Sequence, residues 1–307
     1  MEITEYLPAA FRTQIKTDML LGAEEIRLRV GQPLEIIYAD EKERSIGVLS
    51  AAQMREILNY MSGYSVYALE EELRQGFFTV EGGHRVGVAG RTCYEKTDNG
   101  NRLKSLSCIS GLNIRLAHEK KDCALPLLPW LYCGENVYHT FLFAPPGVGK
   151  TTYLRDCIRL LSAGNRLRAG KKIGVVDERS EIAACHRGIP QNDLGPHTDV
   201  LDNCPKETGM HMLLRSMSPQ VIAVDELGLP EDFAAVADCA RCGVSVLGTM
   251  HAGTLPEVQK RLQRDGLDLL KPQMRLVGLR RKADGSRLLS VYEGGGNLLW
   301  EGSSEAS

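Results

Sequence analysis

Residues 137–152 read VYHTFLFAPPGVGKTT, and this stretch decides the fold class. An apolar strand leads into a glycine-rich turn, and the turn ends in Lys-Thr-Thr at the start of the amphipathic stretch TTYLRDCIRLL. The turn follows the phosphate-binding pattern G-x-x-x-x-G-K-[ST], except that Ala144 stands where the first glycine is usual. Because a strand and a helix flank the turn in the required order, the motif predicts a P-loop nucleotide-binding domain.

The chemistry of the loop explains its residue types. Glycines let backbone N–H groups turn inward and approach a polyphosphate closely, and the amino terminus of the following helix adds partial positive charge. We expect Lys150 to reach the β- and γ-phosphates of ATP and Thr151 to offer its hydroxyl to Mg²⁺. The predicted nucleotide-binding residues are Ala144, Pro145, Pro146, Gly147, Val148, Gly149, Lys150, Thr151 and Thr152.

Further apolar strands alternate with helical stretches after this loop. The strands are KIGVVDE (172–178), QVIAVDEL (220–227) and VSVLGTM (244–250). Continuous apolar strands separated by helices indicate a parallel sheet that is covered on both faces. The predicted class is therefore α/β, with a RecA- or AAA-like P-loop NTPase domain over residues 131–307.

Residues 1–130 show a different pattern, which predicts a smaller mixed α/β domain ahead of the nucleotide-binding domain. The segment EEIRLRVGQPLEIIY (24–38) alternates apolar and charged residues as a half-buried strand does. The segment GFFTVEGGHRVGVAGRT (76–92) is typical of a hairpin. Between the domains, residues 118–136 are first charged and then rich in proline and leucine, which indicates a linker or a leading helix.

Acidic residues end two of the predicted strands. Asp225 and Glu226 follow four apolar residues, as in a Walker B strand; we expect Asp225 to hold the Mg²⁺ shell and Glu226 to polarise the attacking water. A second cluster, in the segment VVDERSE, contains Asp177, Glu178 and Glu181. Since carboxyl ends of parallel strands line the ligand crevice, Glu178 and Glu181 compete with Glu226 for the catalytic role. Surface salt bridges are the alternative for this cluster.

A histidine ends the next strand. VSVLGTM runs into His251 and then Thr254, at what should be the same edge of the sheet. A side chain there can sense the γ-phosphate by hydrogen bonding. The alternative is a turn histidine that contacts no ligand.

Composition narrows the class of protein. The 307 residues carry a formal net charge of −2, so no whole-molecule field draws the protein to nucleic acid or anionic lipid. The nine cysteines are odd in number and irregular in spacing, which favours reduced thiols, with Cys239 and Cys242 packed in a helix rather than binding zinc. No stretch approaches the ~20 apolar residues of a membrane span. We expect a cytoplasmic protein, at most peripheral to a membrane.

Together these motifs resemble the secretion ATPases of type II and type IV systems, including pilus motors. Those proteins carry a Walker A motif, an acidic box, a Walker B motif and a histidine box in this order. The matching segments here are residues 144–151, 177–181, 221–226 and 249–254. The resemblance implies a Mg²⁺-dependent ATPase that self-associates into a ring, a homo-hexamer. It also implies that a smaller N-terminal domain precedes the ATPase domain in the sequence.

Longer strings extend the resemblance beyond the nucleotide site. EIRLRVGQPLE, GGHRVGVAGR, PPGVGKTTYLRD and LLRSMSPQVIAVDELG are similar to a family of sporulation proteins from endospore-forming bacteria, and the likeness runs from about residue 20 to 295. It implies an ATPase in the mother cell that docks on membrane proteins of a secretion-like channel toward the forespore.

Two points separate this chain from the secretion ATPases. Their Walker B motif often has Gly-Glu where this chain has Asp225 and Glu226, and the tetracysteine zinc module of some members is absent.

In the secretion ATPases, arginines of the first domain or the linker can reach a nucleotide at an inter-domain or inter-subunit cleft. The candidates for such a contact here are Arg85, Arg91, Arg115 and, just before the Walker B strand, Arg215.

Two other functions compete with the motor interpretation. Residues 258–287 contain nine lysines and arginines against three aspartates, which would suit a nucleic-acid translocase. However, this stretch lacks the interleaved aromatic residues on which bases stack, so nucleic acid is the weaker expectation. A nucleotide switch that does not hydrolyse ATP is the other alternative, and Glu226 argues against it.

Overall fold

The computed structural model describes residues 3–38, 43–65, 69–97 and 100–304. The chain forms two compact units: the first comprises Met1–His118 with Ala184–Gln191, and the second comprises Glu119–Ala183 with Asn192–Ser307. The sequence-based boundary after residue 130 thus lies inside the second unit. The backbone N–H of Ala124 donates to the buried carboxylate of Asp156 at 2.8 Å, a contact that ties the linker to the second unit.

The first unit is built on an antiparallel sheet. Its described strands are β1 (Ala23–Arg29), β2 (Pro33–Tyr38), β3 (Glu43–Val48), β4 (Phe77–Thr79), β5 (Arg85–Thr97) and β6 (Gly100–Arg115). They lie in the order β3-β2-β1-β6-β5-β4. The helices are α1 (Ala9–Arg12), α2 (Thr17–Leu20), α3 (Ala51–Met61) and α4 (Glu70–Gln75).

Helix α3 covers one face of this sheet. It begins with a capping box, in which Ser50 Oγ accepts from the N–H of Gln53 at 3.2 Å and the Gln53 side chain accepts from the N–H of Ser50 at 2.9 Å. Met54, Ile57 and Met61 recur at helical spacing and are buried in the core of this unit. Burial of this apolar stripe therefore holds α3 on the sheet.

Residues 184–191 belong to the first unit although second-unit residues flank them in sequence. The ring nitrogen Nδ1 of His186 donates to the carbonyl of Thr79 at 2.9 Å. The side chain of Gln191 accepts from the N–H of Gly82 at 2.9 Å. The segment thus completes the hydrogen bonding of the turn that joins β4 and β5.

The second unit contains a mixed sheet flanked by helices. Its described strands are β7 (Tyr132–Cys133), β8 (Asn136–Val137), β9 (His139–Ala144), β10 (Ile173–Asp177), β11 (Thr198–Asp202), β12 (Val221–Leu227), β13 (Ser245–His251), β14 (Met274–Arg281), β15 (Arg287–Glu293) and β16 (Leu298–Ser304). Its helices are α5 (Leu128–Leu131), α6 (Lys150–Ala163), α7 (Lys206–Ser216), α8 (Pro230–Arg241) and α9 (Leu255–Arg264). Within the described ranges, no helix is both long and apolar enough to cross a bilayer.

The main sheet has the order β11-β10-β12-β13-β9-β14-β15-β16. The strands from β11 to β14 pair in parallel, whereas β14, β15 and β16 form an antiparallel meander. The prediction of an α/β P-loop domain with a parallel sheet is confirmed. Strand β11 escaped prediction because TDVLD has only two apolar residues, which suits its half-exposed place at the sheet edge.

The parallel register gathers the polar strand tips at one edge. Ala144, at the end of β9, lies opposite His251, at the end of β13, and Leu227 of β12 lies opposite Met250. Every residue of β9 and of β10 is buried, so the apolar bodies of these strands hold their ends in place. The loops that follow these ends therefore open on a common site.

Candidate functional site

The glycine-rich turn after β9 has the backbone shape of a phosphate-binding loop. Gly147 and Gly149 have φ values of +75° and +110°, a conformation that side chains rarely allow. A Cβ at Gly147 would meet nothing within 4 Å, so backbone conformation rather than space requires glycine there. Pro145, Pro146 and Gly147 are exposed, whereas Val148 and Gly149 are half-buried.

The departure at Ala144 has a simple explanation. Ala144 ends β9 in extended conformation and its methyl group is buried. Because this position needs no positive φ, it does not demand glycine. Helix α6 begins directly after the turn at Lys150, with Thr151 and Thr152 half-buried in its first turn.

Lys150 uses its three donors within the site. Its Nζ donates to the carbonyls of Ala144 at 3.0 Å and Pro145 at 3.1 Å, and it lies 3.0 Å from Nδ1 of His251. Burial lowers the pKa of Lys150, while the negative charges of Asp225 and Glu226 oppose this shift. The lysine head is thus held at the loop by the groups around it.

Asp225 joins the loop to the sheet. Its Oδ2 accepts from the hydroxyl of Thr151 at 2.6 Å, and its Oδ1 accepts from the hydroxyl of Thr249. A carboxylate and a hydroxyl side by side form a donor set that suits Mg²⁺, which takes one or two protein oxygens and completes its shell with phosphate and water. The residues present therefore fit the metal.

Glu226 lies in a strained backbone conformation next to this pair. Its φ is +53°, unusual for a residue with a side chain, and the pairing of β12 with β13 shifts register between Val224 and Leu227. The N–H of Glu226 donates to Thr249 Oγ1 at 2.9 Å. The bulge thereby turns the glutamate away from the strand's regular alternation.

Both carboxylate oxygens of Glu226 carry a partner. Oε1 lies 2.9 Å from Nε2 of His251, and Oε2 accepts from Arg179 at 2.7 Å. Since Lys150 can only donate, Nδ1 of His251 accepts and Nε2 carries the proton that faces Glu226. Burial raises the pKa of Glu226, but the hydrogen bond from His251 and the charge of Arg179 outweigh it, so the pKa is lowered overall.

In the second acidic cluster, Asp177 holds the backbone of the loop that follows β10. Asp177 is buried and accepts from the N–H groups of Glu181, Ile182 and Ala183 at 2.9, 3.0 and 2.7 Å. Glu178 forms an ion pair with Lys206. The carbonyl of Glu181 accepts from Arg155 at 2.8 Å. A small cleft is lined by Asp177, Glu178, Arg179, Glu181, Lys206, Asp225 and Glu226.

The sequence matches one protein family along nearly its whole length. The family described as Sporulation stage III, protein AA matches residues 2–299. The chain belongs to this family. A relative within it is the Stage III sporulation protein AA of Bacillus subtilis (strain 168), 41% identical over 302 residues that cover 97% of this chain and 96% of the relative. The resemblance predicted from sequence strings is thereby confirmed.

Two solved structures share the fold of this chain. The Legionella pneumophila ATPase DotB superposes with a TM-score of 0.57 at 17% identity, over 89% of this chain and 77% of that one. The pilus retraction motor PilT, solved with bound ADP, gives a TM-score of 0.60 at 16% identity, over 95% of this chain and 82% of that one. The likeness shows that the chain has the fold of these two proteins.

The arginines proposed from sequence lie in different places. Arg85 stacks on the ring of Phe77, with 3.6 Å from its guanidinium carbon to the ring centroid. Arg91 and Arg115 are exposed on β5 and β6 of the first unit. Arg215 lies in the last turn of α7, which leads to the amino-terminal end of β12 and not to the end that carries Asp225.

Several residues of the site went unnoticed in the sequence. Arg179 and Lys206 pair with the predicted glutamates, Thr249 binds Asp225, and Arg287 contacts the loop from a distant strand. Thr249 had a local signal, because it precedes His251 by two positions on one strand.

Cys239 and Cys242 are the closely spaced pair of cysteines. Burial raises the pKa of Cys239 to about 12. Within the described part of the chain, no three His, Cys, Asp or Glu side chains cluster as metal ligands.

Replacement of Asp177 by Asn should change how stability depends on pH. Burial raises the pKa of Asp177 to about 6 from 3.8, despite three N–H donors. The neutral acid therefore contributes stability that is fully present below about pH 3.8 and is lost as pH rises through about 6. Between these limits, the free energy of unfolding of the wild type should fall by on the order of 2–3 kcal/mol relative to Asp177→Asn.

Urea unfolding at several pH values measures this difference. Asp199→Asn on β11 is the matched control, because Asp199 is exposed and its replacement removes the same charge. An equal pH dependence in wild type and Asp177→Asn would mean that the three N–H donors cancel the effect of burial on the pKa of Asp177, and that prediction would be wrong.

Proposed function

We propose that this protein is a Mg²⁺-dependent ATPase that serves as a motor or assembly ATPase of a membrane-associated, secretion-like channel complex in endospore formation. One observation carries the proposal. The phosphate-binding loop, the metal-binding pair and an acidic residue with a histidine partner form one hydrogen-bonded group through Lys150, Thr151, Asp225, Glu226 and His251.

The residues of the loop bind the triphosphate of ATP. The N–H groups around Gly147 and Gly149, the amino terminus of α6 and the ammonium of Lys150 offset its negative charge. Thr151 and Asp225 would hold Mg²⁺, directly or through water, and the ion supplies further neutralisation of the β- and γ-phosphates when bound. These roles follow from chemistry that P-loop sites share.

Glu226 is the residue that we assign to orient and deprotonate the attacking water. Its pKa is lowered, so it is ionised near neutral pH and can accept a proton. Glu178 is the weaker candidate because it pairs with Lys206, whereas Glu226 contacts His251 and, through it, Lys150 of the loop. Glu181 lies farther along the loop whose N–H groups Asp177 binds. His251, which bridges Lys150 and Glu226, is suited to sense the γ-phosphate.

The cellular role rests on the relatives. One relative is a stage III sporulation protein of Bacillus subtilis, and the structural neighbours include an ATPase and a pilus retraction motor. We propose a ring, a homo-hexamer, that docks on membrane proteins from the cytoplasmic, mother-cell side. ATP hydrolysis within the ring would drive assembly or transport through the channel.

A nucleic-acid translocase is less well supported. Several cations of the basic stretch are engaged within the protein: Arg264 pairs with Asp265, Lys271 pairs with Asp268, and Arg275 stacks on Tyr138. These contacts reduce the number of side chains available for a phosphate backbone. Stimulation of ATP hydrolysis by membrane-complex partners, and not by DNA or RNA, is expected.

Replacement of Lys150 by Ala should abolish measurable ATP binding. The variant loses charge-assisted hydrogen bonds to two phosphates, which should raise the Kd for Mg-ATP by about 100-fold or more. Titration with a fluorescent ATP analogue measures this change. Lys172→Ala, which removes an exposed lysine of the same unit, should bind as the wild type does. Unchanged affinity in Lys150→Ala would refute the phosphate-binding role of the loop.

Replacement of Glu226 by Gln should separate binding from turnover. The amide keeps the shape of the side chain but accepts no proton from water, so kcat should fall by about 10²–10⁴-fold while the Kd for Mg-ATP stays close to that of the wild type. Glu178→Gln and Glu181→Gln are the matched comparisons. Normal turnover in Glu226→Gln, with loss in one of the other two, would move the base to that residue.

Self-association should depend on nucleotide. Light scattering coupled to size-exclusion chromatography, with and without Mg-ATP, should detect a species of about six chains when nucleotide is bound. ATPase activity should rise with protein concentration as the ring forms. A strict monomer with full, concentration-independent activity would contradict the ring.

A further inference from the structure

The hairpin of β14 and β15 lies at the same edge of the sheet as the phosphate-binding loop. Gly278 of β14 pairs with Phe143 of β9 in parallel register, so the last residues of β14 run beyond the end of β9 at Ala144. The chain then turns and returns as β15, with Arg287 opposite Arg281. The turn of this hairpin therefore adjoins the segment where the loop begins.

Arg287 holds the middle of the phosphate-binding loop from this hairpin. Its Nε donates to the carbonyl of Val148 at 2.7 Å, and its Nη1 donates to the carbonyl of Gly285 in the turn. The guanidinium thus ties the loop at Val148 to the hairpin turn at Gly285, which lies two residues before Arg287 in the sequence. The side chain is half-buried, which limits competition from water for these carbonyls.

The residue that Arg287 contacts lies between two glycines. Gly147 and Gly149 have no side chains to restrain them, and both have positive φ. Beyond the neighbouring residues of the chain, the nearest atom to a Cβ placed on Gly149 is Nε of Arg287, at 4.0 Å, so side-chain contact at this point of the loop is loose. The hydrogen bond from Arg287 to the carbonyl of Val148 therefore restrains the peptide plane between Val148 and Gly149.

We propose that Arg287 is a positioning residue that fixes the Val148–Gly149 peptide with the N–H of Gly149 directed toward the phosphates of the bound nucleotide. In a trans peptide the carbonyl and the N–H point in opposite directions. A carbonyl held on the side of Arg287 therefore directs the N–H of Gly149 to the other side of the loop. This inference rests on the proposed nucleotide-binding function.

The two contacts of Arg287 depend on the shape of the guanidinium as well as on its positive charge. The planar guanidinium donates from two nitrogens in fixed directions, and here it reaches Val148 and Gly285 together. A lysine has the same charge but no such fork. Arg281, directly opposite in the register and exposed, offers the matched control because its replacement removes the same charge from the same hairpin.

Two measurements on the full-length protein test the proposal. The first is hydrogen–deuterium exchange of the peptides that cover residues 144–152, without nucleotide. Arg287→Ala should speed their exchange, whereas Arg281→Ala should not. The second is the Kd of a fluorescent ADP analogue with Mg²⁺, which Arg287→Ala should raise about ten-fold and Arg281→Ala less than about two-fold.

Arg287→Lys separates charge from geometry and also serves if Arg287→Ala does not fold. It should recover part of the exchange protection and part of the affinity, at a melting temperature close to that of the wild type. Wild-type exchange of the loop in Arg287→Lys and in any folded Arg287→Ala would overturn the proposal. Equal loss of affinity in Arg287→Ala and Arg281→Ala would also overturn it, because the effect would then be one of net charge.

Failure of the proposed function gives a different pattern. If the wild type does not bind the ADP analogue, nucleotide binding is refuted and the role of Arg287 toward phosphates falls with it. Faster loop exchange in Arg287→Ala would then still establish that Arg287 restrains the loop. Binding in the wild type with unaltered loop exchange in Arg287→Ala refutes the positioning role alone.

Discussion

The carboxylate of Asp225 accepts hydrogen bonds from Thr151 on α6 and Thr249 on β13, and the rest of the site depends on this interaction. It ties the helix that follows the phosphate-binding loop to two neighbouring strands. The parallel sheet makes this contact possible, since it brings the carboxyl ends of β12 and β13 to one edge. The buried residues of the central strands hold that edge in place, so the geometry of the site depends on the packing of the core of the second unit.

Around this anchor, His251 links the group that would meet phosphate to the group that would meet water. One ring nitrogen faces Lys150 and the other faces Glu226, while Arg179 holds the second oxygen of that glutamate. In the proposed ATPase, a phosphate that drew Lys150 away from Nδ1 would remove the contact that fixes the tautomer of His251, and with it the fixed donor to Glu226. The strained backbone of Glu226 is consistent with a side chain kept ready for such a change.

The sequence predicted what short-range patterns encode. The loop, the strand leading into it and the tips at Asp225 and His251 are local motifs, and β9, β10, β12 and β13 lie within one or two residues of the predicted strands. Arg179, Lys206 and Arg287 could not be assigned roles, because their contacts join residues that are 28 to 139 positions apart. The acidic box had a readable pattern but an ambiguous meaning: burial of Asp177 beneath three N–H groups is a property of the folded loop, which no spacing reveals.

The excursion of residues 184–191 into the first unit means that the backbone passes between the two units at three points, after residues 118, 183 and 191. A single cut in the gene therefore cannot yield both units whole. A fragment ending at residue 118 would leave the carbonyl of Thr79 and the N–H of Gly82 without the partners that His186 and Gln191 supply. To produce the first unit alone, residues 184–191 therefore have to be grafted onto the fragment or added to it as a separate peptide.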